Sequence, residues 1–359
     1  MANVCENLIN LEISYSKLRT LDLRLTPNLE SVEESLEVVP LTELHVVAKS
    51  LERCPLHPDN DLPNFRFSYF YKEDRYSFTI NLEKLISIGI CACTNLETLS
   101  GSICGLQRLR KLKLEGSIQE ALEDLGQLEC LEELIFLSTK INLLLESMCM
   151  LKHLKSLKLI SCWFLEKLPE DLGGLERLED LTLFCTLIKD LPDSICMLKH
   201  HKSLELFSCL LLEKLPKEFG RLKLLEKLEL SHAKITHLPD SICMLKQMKH
   251  INLHNCSLLE KLPEDHGQLE FLLKLIIINC KLLQNIPISI CRMKCLKDFH
   301  LRYCIGIEKM PEEHGSLDCL KELDIEGKII RHFPHSILLL KGLCIIGSRG
   351  LLQSSGFAS

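Results

Sequence analysis

The sequence predicts an α/β solenoid, a fold in which short parallel strands stack along one axis. Leucines recur in a fixed pattern along nearly all of the 359 residues. The pattern is evenly spaced, and the interior that it implies is aliphatic, since 46% of the residues are hydrophobic but only 5% are aromatic. Repeat arrays grow without dividing into separate domains, so a chain of this length needs no second fold.

The repeated unit is Leu-x-x-Leu-x-Leu, followed by an outward loop and a second short apolar segment. Its first leucine-like position falls at residues 18, 41, 62, 85, 109, 131, 154, 178, 201, 225, 248, 272, 296, 320 and 343. Neighbouring positions are 21 to 24 residues apart, which gives about fourteen repeats. This period predicts a leucine-rich-repeat solenoid, a curved horseshoe with a parallel concave sheet and short helices or 3₁₀ turns on its convex side.

One repeat illustrates the expected packing. Leu154, Leu157 and Leu159 are expected to face the interior, whereas Lys158 faces the other way because successive residues of a strand alternate. Leu172 and Leu175 are expected to return to the core from the convex side. A single unit cannot bury these leucines, so only stacked repeats form a stable core.

A second period of about 47 residues is superimposed on the first, because two convex-side sequences alternate. One ends in Gly, as in Leu168–Gly173 and Leu215–Gly220, and the other ends in Ser-Ile-Cys, as in Leu191–Cys196 and Leu238–Cys243. Proline fixes an extended entry to both. The Asp or Ser beside it is expected to cap the short helix that follows.

Three parts of the chain depart from the regular order. Residues 1–17 form a partial repeat, and their short spacing to the next repeat predicts a truncated N-terminal end. The repeats cover residues 18–346, with an irregular stretch at 47–81 in which Leu62 resumes the array with aromatic residues. Residues 347–359 are small and polar, which predicts a flexible tail.

The nineteen cysteines predict reduced core thiols rather than a disulfide framework. Their number is odd, and most recur at repeat positions where a small apolar side chain suits a buried site. The column directly after the strand contains Cys93, Cys162, Cys209, Cys256, Cys280 and Cys304, with Thr139, Thr186 and Ala233 in other repeats. Reduced thiols favour a cytoplasmic or nuclear location.

Charge and hydropathy argue against two kinds of partner. The net charge is −6 and no basic block occurs, so we expect no nucleic-acid partner. The first residues lack a basic stretch followed by an apolar run, as a signal peptide would have. The apolar stretch at 337–346 is interrupted by Lys341 and is too short to span a bilayer, so we expect no membrane association.

The sequence predicts neither an enzyme nor a cofactor. It contains no Gly-rich phosphate-binding loop with its Lys, no His-Glu-x-x-His and no paired Cys-x-x-Cys. Cys91 with Cys93 and Cys291 with Cys295 are spaced like metal ligands, but Cys93 and Cys291 fall on repeat positions that favour core packing. Histidines such as His153 occupy variable positions and are expected to be exposed. We therefore expect no catalytic residue, metal or cofactor.

Several motifs are typical of one family. They are the Cys or Thr after the strand, Leu259–Glu264 (Leu-Glu-Lys-Leu-Pro-Glu), Leu238–Cys243 (Leu-Pro-Asp-Ser-Ile-Cys), and Ser16–Leu23 with Thr26–Glu30. In these motifs the chain resembles the leucine-rich-repeat region of plant intracellular immune receptors, which carry a Toll/interleukin-1-receptor-like domain and a nucleotide-binding domain ahead of the repeats. The resemblance covers about residues 8–346. Plant extracellular receptors are less similar, since their repeats carry Gly-x-Ile-Pro and an Asn after the strand.

The resemblance implies a non-enzymatic protein-interaction module of the defence response. Its protein partner would be a pathogen effector or a guarded host protein, and a nucleotide-binding immune receptor in trans is a further expected partner. The implied location is the cytoplasm, with the nucleus as a second compartment. Two alternatives stay open. One is an intracellular scaffold that regulates small-GTPase signalling, whose repeats usually have Asn after the strand. The other is the substrate-recognition part of a ubiquitin ligase, which would need an F-box helix pair or a catalytic Cys domain.

Strand residues that face away from the core predict where a protein partner binds. Parallel strands lie about 4.8 Å apart, so equivalent positions form columns across the repeats. The ridge column follows the third leucine of each repeat, and the rim column lies two residues before it. Together they supply the predicted partner-binding residues Ile135, Leu137, Lys158, Ile160, Thr182, Phe184, Glu205, Phe207, His254, Ile278 and Arg302.

Four consecutive members of the ridge column are apolar, namely Leu137, Ile160, Phe184 and Phe207, and we expect them to be exposed. Charged residues of the rim column surround them. An apolar ridge with a polar rim is typical of a protein interface. The alternative is that these side chains only favour strand formation on a solvated sheet.

Overall fold

The computed structural model describes a set of residues that spans most of the repeats. They are residues 10–12, 20–22, 31–33, 43–48, 57–58, 64–71, 74–81, 86–96, 106–118, 125–265, 269–307, 310–311, 317–327, 337 and 340–347. Most of the predicted N-terminal partial repeat, the predicted tail beyond Gly347 and the side chains of Cys91 and Cys93 lie outside them. The chain forms two units, residues 1–178 and 179–359.

The first unit is built around a parallel sheet. Its described strands are β1 Asn10–Glu12, β2 Thr20–Asp22, β3 Ser31–Glu33, β4 Glu43–Ala48, β5 His57–Pro58, β6 Asn64–Tyr71, β7 Asp74–Asn81, β8 Ser87–Leu96, β9 Lys111–Ile118, β10 Glu133–Leu137 and β11 Ser156–Ile160. Six of them form the sheet in the order β2-β4-β8-β9-β10-β11, while β1 pairs with β3. Equivalent leucines align across neighbouring strands, as Leu112, Leu134 and Leu157 do.

The prediction that a repeat begins at Leu62 is wrong. β4 pairs directly with β8, with Glu43 opposite Ser87, so none of the described strands between them joins the parallel sheet. Those strands, β5, β6 and β7, instead form a separate antiparallel sheet, in which Phe67 pairs with Phe78. Phe65, Phe67 and Tyr69 of β6 alternate with polar residues, and this period of two is typical of a hairpin strand rather than of Leu-x-x-Leu-x-Leu.

The second unit contains the other parallel strands. They are β12 Asp180–Phe184, β13 Ser203–Phe207, β14 Lys227–Ser231, β15 His250–His254, β16 Lys274–Ile278, β17 Asp298–His300, β18 Glu322–Asp324 and β19 Cys344–Ile346. Each strand pairs with the next in the chain. Leu181, Leu204 and Leu228 align across β12, β13 and β14, so the repeats stack without a shift in register.

The leucines of each repeat form the core, as predicted. Leu154, Leu157 and Leu159 have no exposed surface, and Leu172 and Leu175 close the same repeat from the convex side with at most 1% exposed. Burial of this apolar surface is the main favourable term in folding. The repeat pattern therefore identifies the core residues as well as the strands.

Where the structure describes the convex side, it carries short 3₁₀ helices whose lengths follow the alternation of the sequence. They are Leu125–Gln127, Glu146–Met150, Leu172–Gly174, Asp193–Met197, Phe219–Arg221, Asp240–Met244 and Ile288–Arg292. Segments of the Gly type span three residues, and those of the Ser-Ile-Cys type span five. The 47-residue period of the sequence is thus a structural period of the convex face.

The prediction that the local Asp or Ser caps these helices is wrong. No cap residue of the six helices with described caps makes a side-chain capping hydrogen bond. Neighbouring repeats supply acceptors instead. The Glu146 carboxylate accepts hydrogen bonds from the backbone N–H groups of Glu170 at 2.8 Å and Asp171 at 3.2 Å. The free N–H groups at a helix start need acceptors, and here stacking provides them.

Glycine is required where two convex segments meet. A Cβ atom at Gly220 would lie 2.1 Å from the carbonyl oxygen of Ser241, and one at Gly126 would lie 2.2 Å from that of Ser147. The Ser241 hydroxyl also accepts a hydrogen bond from the Gly220 N–H at 3.1 Å and donates one to the Lys217 carbonyl at 2.6 Å. The Gly of one repeat type therefore allows close approach by the Ser of the other.

The cysteines after the strands form a buried ladder, as predicted. Cys162, Cys209, Cys256, Cys280 and Cys304 are at most 1% exposed, and each thiol donates to a backbone carbonyl in the preceding repeat over distances of 3.3 to 3.8 Å. In two repeats a threonine replaces the thiol, and Thr139 and Thr186 lie 3.2 and 3.5 Å from the Sγ atoms of the next repeat. No cysteine whose side chain the structure describes forms a disulfide.

The substitution Gly220→Ala should lower the free energy of unfolding by about 1–3 kcal/mol, the usual cost of an overpacked contact. Its new methyl group would collide with a backbone oxygen that cannot turn away. Gly174→Ala is the matched control, because its Cβ would lie 3.1 Å from the Cys149 oxygen and needs only a small adjustment. Urea unfolding followed by circular dichroism measures both. Equal losses in the two variants would contradict the explanation.

The buried thiols should make the protein less stable in alkaline solution. Burial first, with nearby carboxylates second, raises the pKa of Cys196 and of Cys243 from an ordinary value of 9.0 to about 11. Between these values the thiols ionise in the unfolded chain but not in the folded one, so unfolding releases protons and a higher pH favours it.

The measurement is the urea midpoint between pH 8 and pH 10 in the presence of a reductant. The double variant Cys196→Ala/Cys243→Ala should lose less stability over this range than the unmodified protein does. The same pH dependence in both proteins would show that other groups cause the effect.

Candidate protein interface

In the first unit, an apolar patch lies on the strand face that points away from the core. Ile135, Leu137 and Ile160 are half-buried there, with Leu137 directly opposite Ile160 in the register of β10 and β11. The side chains of Lys158 and Glu133 frame the patch and form an ion pair at 2.9 Å. The predicted residues of this unit therefore do lie together, as an apolar patch with a charged border.

Glu133 on this face is compensated by two lysines. Lys158 lies 2.9 Å from it and Lys111 3.4 Å. Burial raises its pKa, but the hydrogen bond and charge of Lys158, together with Lys111, outweigh burial and hold the pKa below its ordinary value. Its negative charge is thus neutralised by two lysines within the protein.

In the second unit, two aromatic rings lie side by side at the start of the sheet. Phe184 is 38% exposed, and its ring centroid lies 6.3 Å from that of Phe207 on the next strand, with the planes tilted by 53°. Of the four apolar residues expected to be exposed, only Phe184 is. Leu137, Ile160 and Phe207 are half-buried, because adjacent strands bring neighbouring side chains of one column into contact.

Beside the rings lies a group of charged and polar side chains on β13, β14 and β15. The ammonium of Lys227 contacts two carboxylates, at 2.8 Å for Glu205 and 3.7 Å for Glu229. The Asn252 side-chain amide donates a hydrogen bond to Glu229 at 2.9 Å. Glu205 and Glu229 occupy equivalent positions of adjacent strands, so two like charges share one lysine.

A hydrogen-bonded chain of polar side chains follows on the next strands. Asn279 donates to Asn255 at 2.6 Å, and the Asn255 amide lies 2.7 Å from Nε2 of His232, whose Nδ1 lies 2.8 Å from the Ser231 hydroxyl. The rings of His232 and His254 meet edge to face at a centroid distance of 5.5 Å. Burial, and then the neighbouring His232, lowers the pKa of His254. This part of the face is polar and internally bonded.

The chain's turns place these polar residues. Directly after each strand from β10 to β16, and three residues after β17, one residue adopts a left-handed conformation with φ between 52° and 59°. Those residues are Ser138, Ser161, Cys185, Ser208, His232, Asn255, Asn279 and Tyr303. Asparagine tolerates this conformation well, whereas bulky residues adopt it at a cost. The recurring turn therefore aligns Asn255 and Asn279 in one column beside the sheet.

An ionic cluster occupies the face at β17 and β18. Arg302 forms ion pairs with Asp324, at 3.2 Å, and with Glu326. His300 lies 2.9 Å from Glu322. The ligand atoms of His300, Glu322 and Asp324 all lie within 4.8 Å of one another, a spacing that a metal ion could use. However, the Arg302 guanidinium already contacts the Asp324 carboxylate, so a cation at this place would have to displace it.

The remaining predicted residues continue the ridge column, lie near the phenylalanines or take part in ion pairs. Ile278 lies opposite His254, in the register of β15 and β16, and continues the ridge column with a half-buried side chain. Thr182 is half-buried beside the phenylalanines, and Glu205 belongs to the Lys227 group. Arg302 is held by carboxylates of its own chain, and Lys158 by Glu133, which leaves neither side chain independent of its neighbours.

Sequence reasoning missed the residues that join these groups. Lys227 and Lys111 belong to a third outward-facing column, two residues before the rim column, which the alignment also defines. His232, Asn255 and Asn279 lie one residue beyond the ridge column, at the left-handed turn. The spacing of the repeat could have identified both columns, but which of their members touch is decided by side-chain conformation.

Comparisons with known proteins agree with this fold. No protein-family model and no curated protein matches the sequence. Among solved structures, a leucine-rich-repeat protein of Leptospira interrogans is 22% identical with a TM-score of 0.53, over 74% of this chain and 79% of that chain. The InlJ domain of Listeria monocytogenes, which includes a cysteine ladder, is 18% identical with a TM-score of 0.56, over 74% of this chain and 58% of that chain.

The Drosophila Toll–Spatzle complex also matches, with 15% identity and a TM-score of 0.53 over 74% of this chain and 36% of that chain. These likenesses concern the fold, and together with the parallel strands and 3₁₀ segments they make it a leucine-rich-repeat solenoid. In the described part of the chain, no helix is both long and apolar enough to cross a membrane.

The substitution Arg302→Gln should lower the melting temperature of the protein, because it leaves a buried carboxylate with fewer partners. The Asp324 side chain is only 3% exposed. Arg221→Gln is the control, since that arginine and its partner Glu218 are both well exposed, and such pairs contribute about 0–1 kcal/mol. Thermal unfolding compares the two. If Arg302→Gln were as stable as the unmodified protein, the Asp324 carboxylate would not depend on Arg302.

Proposed function

We propose that this chain is a non-enzymatic recognition module of the plant-immunity type. It binds a pathogen effector or a guarded host protein through the outward strand face, and it works in the cytoplasm, with the nucleus as a second compartment. A nucleotide-binding immune receptor in trans is the partner that would convert recognition into a signal. The sequence motifs that resemble those of plant intracellular immune receptors support this class.

The exposed phenylalanine on the strand face carries the proposal of a protein partner. Phe184 keeps 38% of its surface in solvent although it is large and apolar, and Phe207 extends the same surface. Aromatic side chains are enriched among the residues that dominate the binding energy of protein interfaces. Burial of such a ring by a partner gains free energy that the solvated sheet does not provide.

The surroundings of the rings support the same proposal. Charged and polar groups lie next to them on β13 and β14, in the arrangement of Lys227 with Glu205 and Glu229. An apolar centre with a polar border is the composition expected of a specific interface. The fold permits this use, as the solved Toll–Spatzle complex contains two bound proteins.

The double substitution Phe184→Ala/Phe207→Ala should abolish partner binding with only a small loss of stability. The two rings form one surface, and their mutual contact contributes about 0.5–1.5 kcal/mol to folding. The measurement is affinity capture by the purified chain from infected and uninfected plant tissue. Captured proteins are identified by mass spectrometry and then retested as purified proteins.

The control is Met197→Ala/Met244→Ala, which removes two exposed apolar side chains from the convex 3₁₀ helices. The proposal expects this control to retain an effector or host partner that the phenylalanine variant loses. Equal binding by both variants would place the interface elsewhere. Capture of a small GTPase in place of these partners would favour a signalling scaffold.

A further inference from the structure

We propose that the strand face of the second unit binds a protein segment that has a Lys or Arg two positions from an apolar residue. The cation pairs with Glu229 beside the Lys227 ammonium, which lies closer to Glu205, and the apolar side chain lies against Phe184 and Phe207. The inference rests on the proposed use of this face as a protein interface and specifies the chemistry of the partner. The Lys227 group and its neighbours on β12 to β16 carry it.

The group around Lys227 has an excess of negative charge. It contains two carboxylates, Glu205 and Glu229, and a single ammonium that lies closer to Glu205 than to Glu229, at 2.8 Å against 3.7 Å. The remaining polar partner of Glu229, the Asn252 amide, is neutral. One negative charge is therefore left without an opposite charge on this face.

The remaining charge is held in a half-buried position. The Glu229 side chain is only 15% exposed. Burial raises the pKa of Glu229 above its ordinary value, and Glu205 raises it further, while Lys227 and Asn252 only partly oppose the change. Glu133 in the first unit shows the opposite case, since its two lysine contacts lower its pKa despite burial. Glu229 would gain from a second cation as Glu133 gains from Lys111.

Nearby cations of the protein are engaged with other groups. Lys249 pairs with Glu226 at 2.7 Å, and Lys274 lies 3.8 Å from Asp298. Burial first, and then the surrounding lysines, lower the pKa of His250 and so disfavour its charged form. A cation from a partner would therefore meet a carboxylate that these side chains do not neutralise.

The phenylalanines determine where the apolar residue of the predicted segment lies relative to its basic residue. Glu205 and Phe207 are two residues apart on β13 and face the same way, which separates them by about 6.6 Å along the strand. An extended segment presents alternate side chains to one side at the same spacing. A basic residue two positions from an apolar residue therefore fits the carboxylates and rings together.

Selection from a display library of random twelve-residue peptides tests the proposal, with the whole chain as the target. Enriched peptides should carry Lys or Arg two positions from an apolar residue. Synthesised copies should bind at least about tenfold more weakly to Glu205→Gln/Glu229→Gln, because the cation loses its charged partners. Their affinity for the unmodified chain should also fall with rising salt.

The matched control is Glu213→Gln, which removes an exposed glutamate outside these strands and should leave the affinity unchanged. Peptides that need Phe184 and Phe207 but have no basic residue would overturn the inference and leave the proposed interface intact. Peptides that bind both the Glu205→Gln/Glu229→Gln and the Phe184→Ala/Phe207→Ala variants as tightly as they bind the unmodified chain would overturn both proposals. Failure to enrich any peptide would count against the cationic segment, whereas capture of a folded partner tests the interface separately.

Discussion

The whole structure depends on stacking of neighbouring repeats in register. A single repeat cannot cover its own leucines, so Leu154, Leu157 and Leu159 reach zero exposure only because equivalent leucines of adjacent repeats pack beside them. The backbone hydrogen bonds of the strands have the same requirement, since each strand pairs with the next repeat. Sequence positions 21 to 24 residues apart therefore become direct neighbours.

Stacking explains the small residues that interrupt the leucines. A buried thiol fits behind several strands and donates weakly to the preceding repeat, as Cys256 does to the Leu230 carbonyl at 3.6 Å. On the convex side, Gly220 admits the Ser241 carbonyl, and the Ser241 hydroxyl then supplies hydrogen bonds that the short helix needs. Close contact between repeats thus replaces the local capping that an isolated helix would use.

The same geometry shapes the outward face. Side chains of one column meet at the spacing of parallel strands, so apolar neighbours such as Phe184 and Phe207 cover part of each other's surface. Like charges in one column meet as well, and Glu205 and Glu229 are an example. The partly covered rings and the incompletely neutralised carboxylate result from the order of residues in three successive repeats.

The sequence by itself determined the repeat period, the strand residues, the buried leucines, the thiol column and the alternation of convex segments. These features are periodic and local, so each repeat contains the residues that specify them. Only the tertiary structure decided that β4 skips to β8 past a hairpin, that Glu146 caps a segment of the next repeat, and that Arg302 is bound by Asp324. It also decided how far Phe207 is covered and which carboxylates Lys227 contacts. These outcomes depend on contacts between side chains of different repeats, and a period along the chain does not specify such contacts.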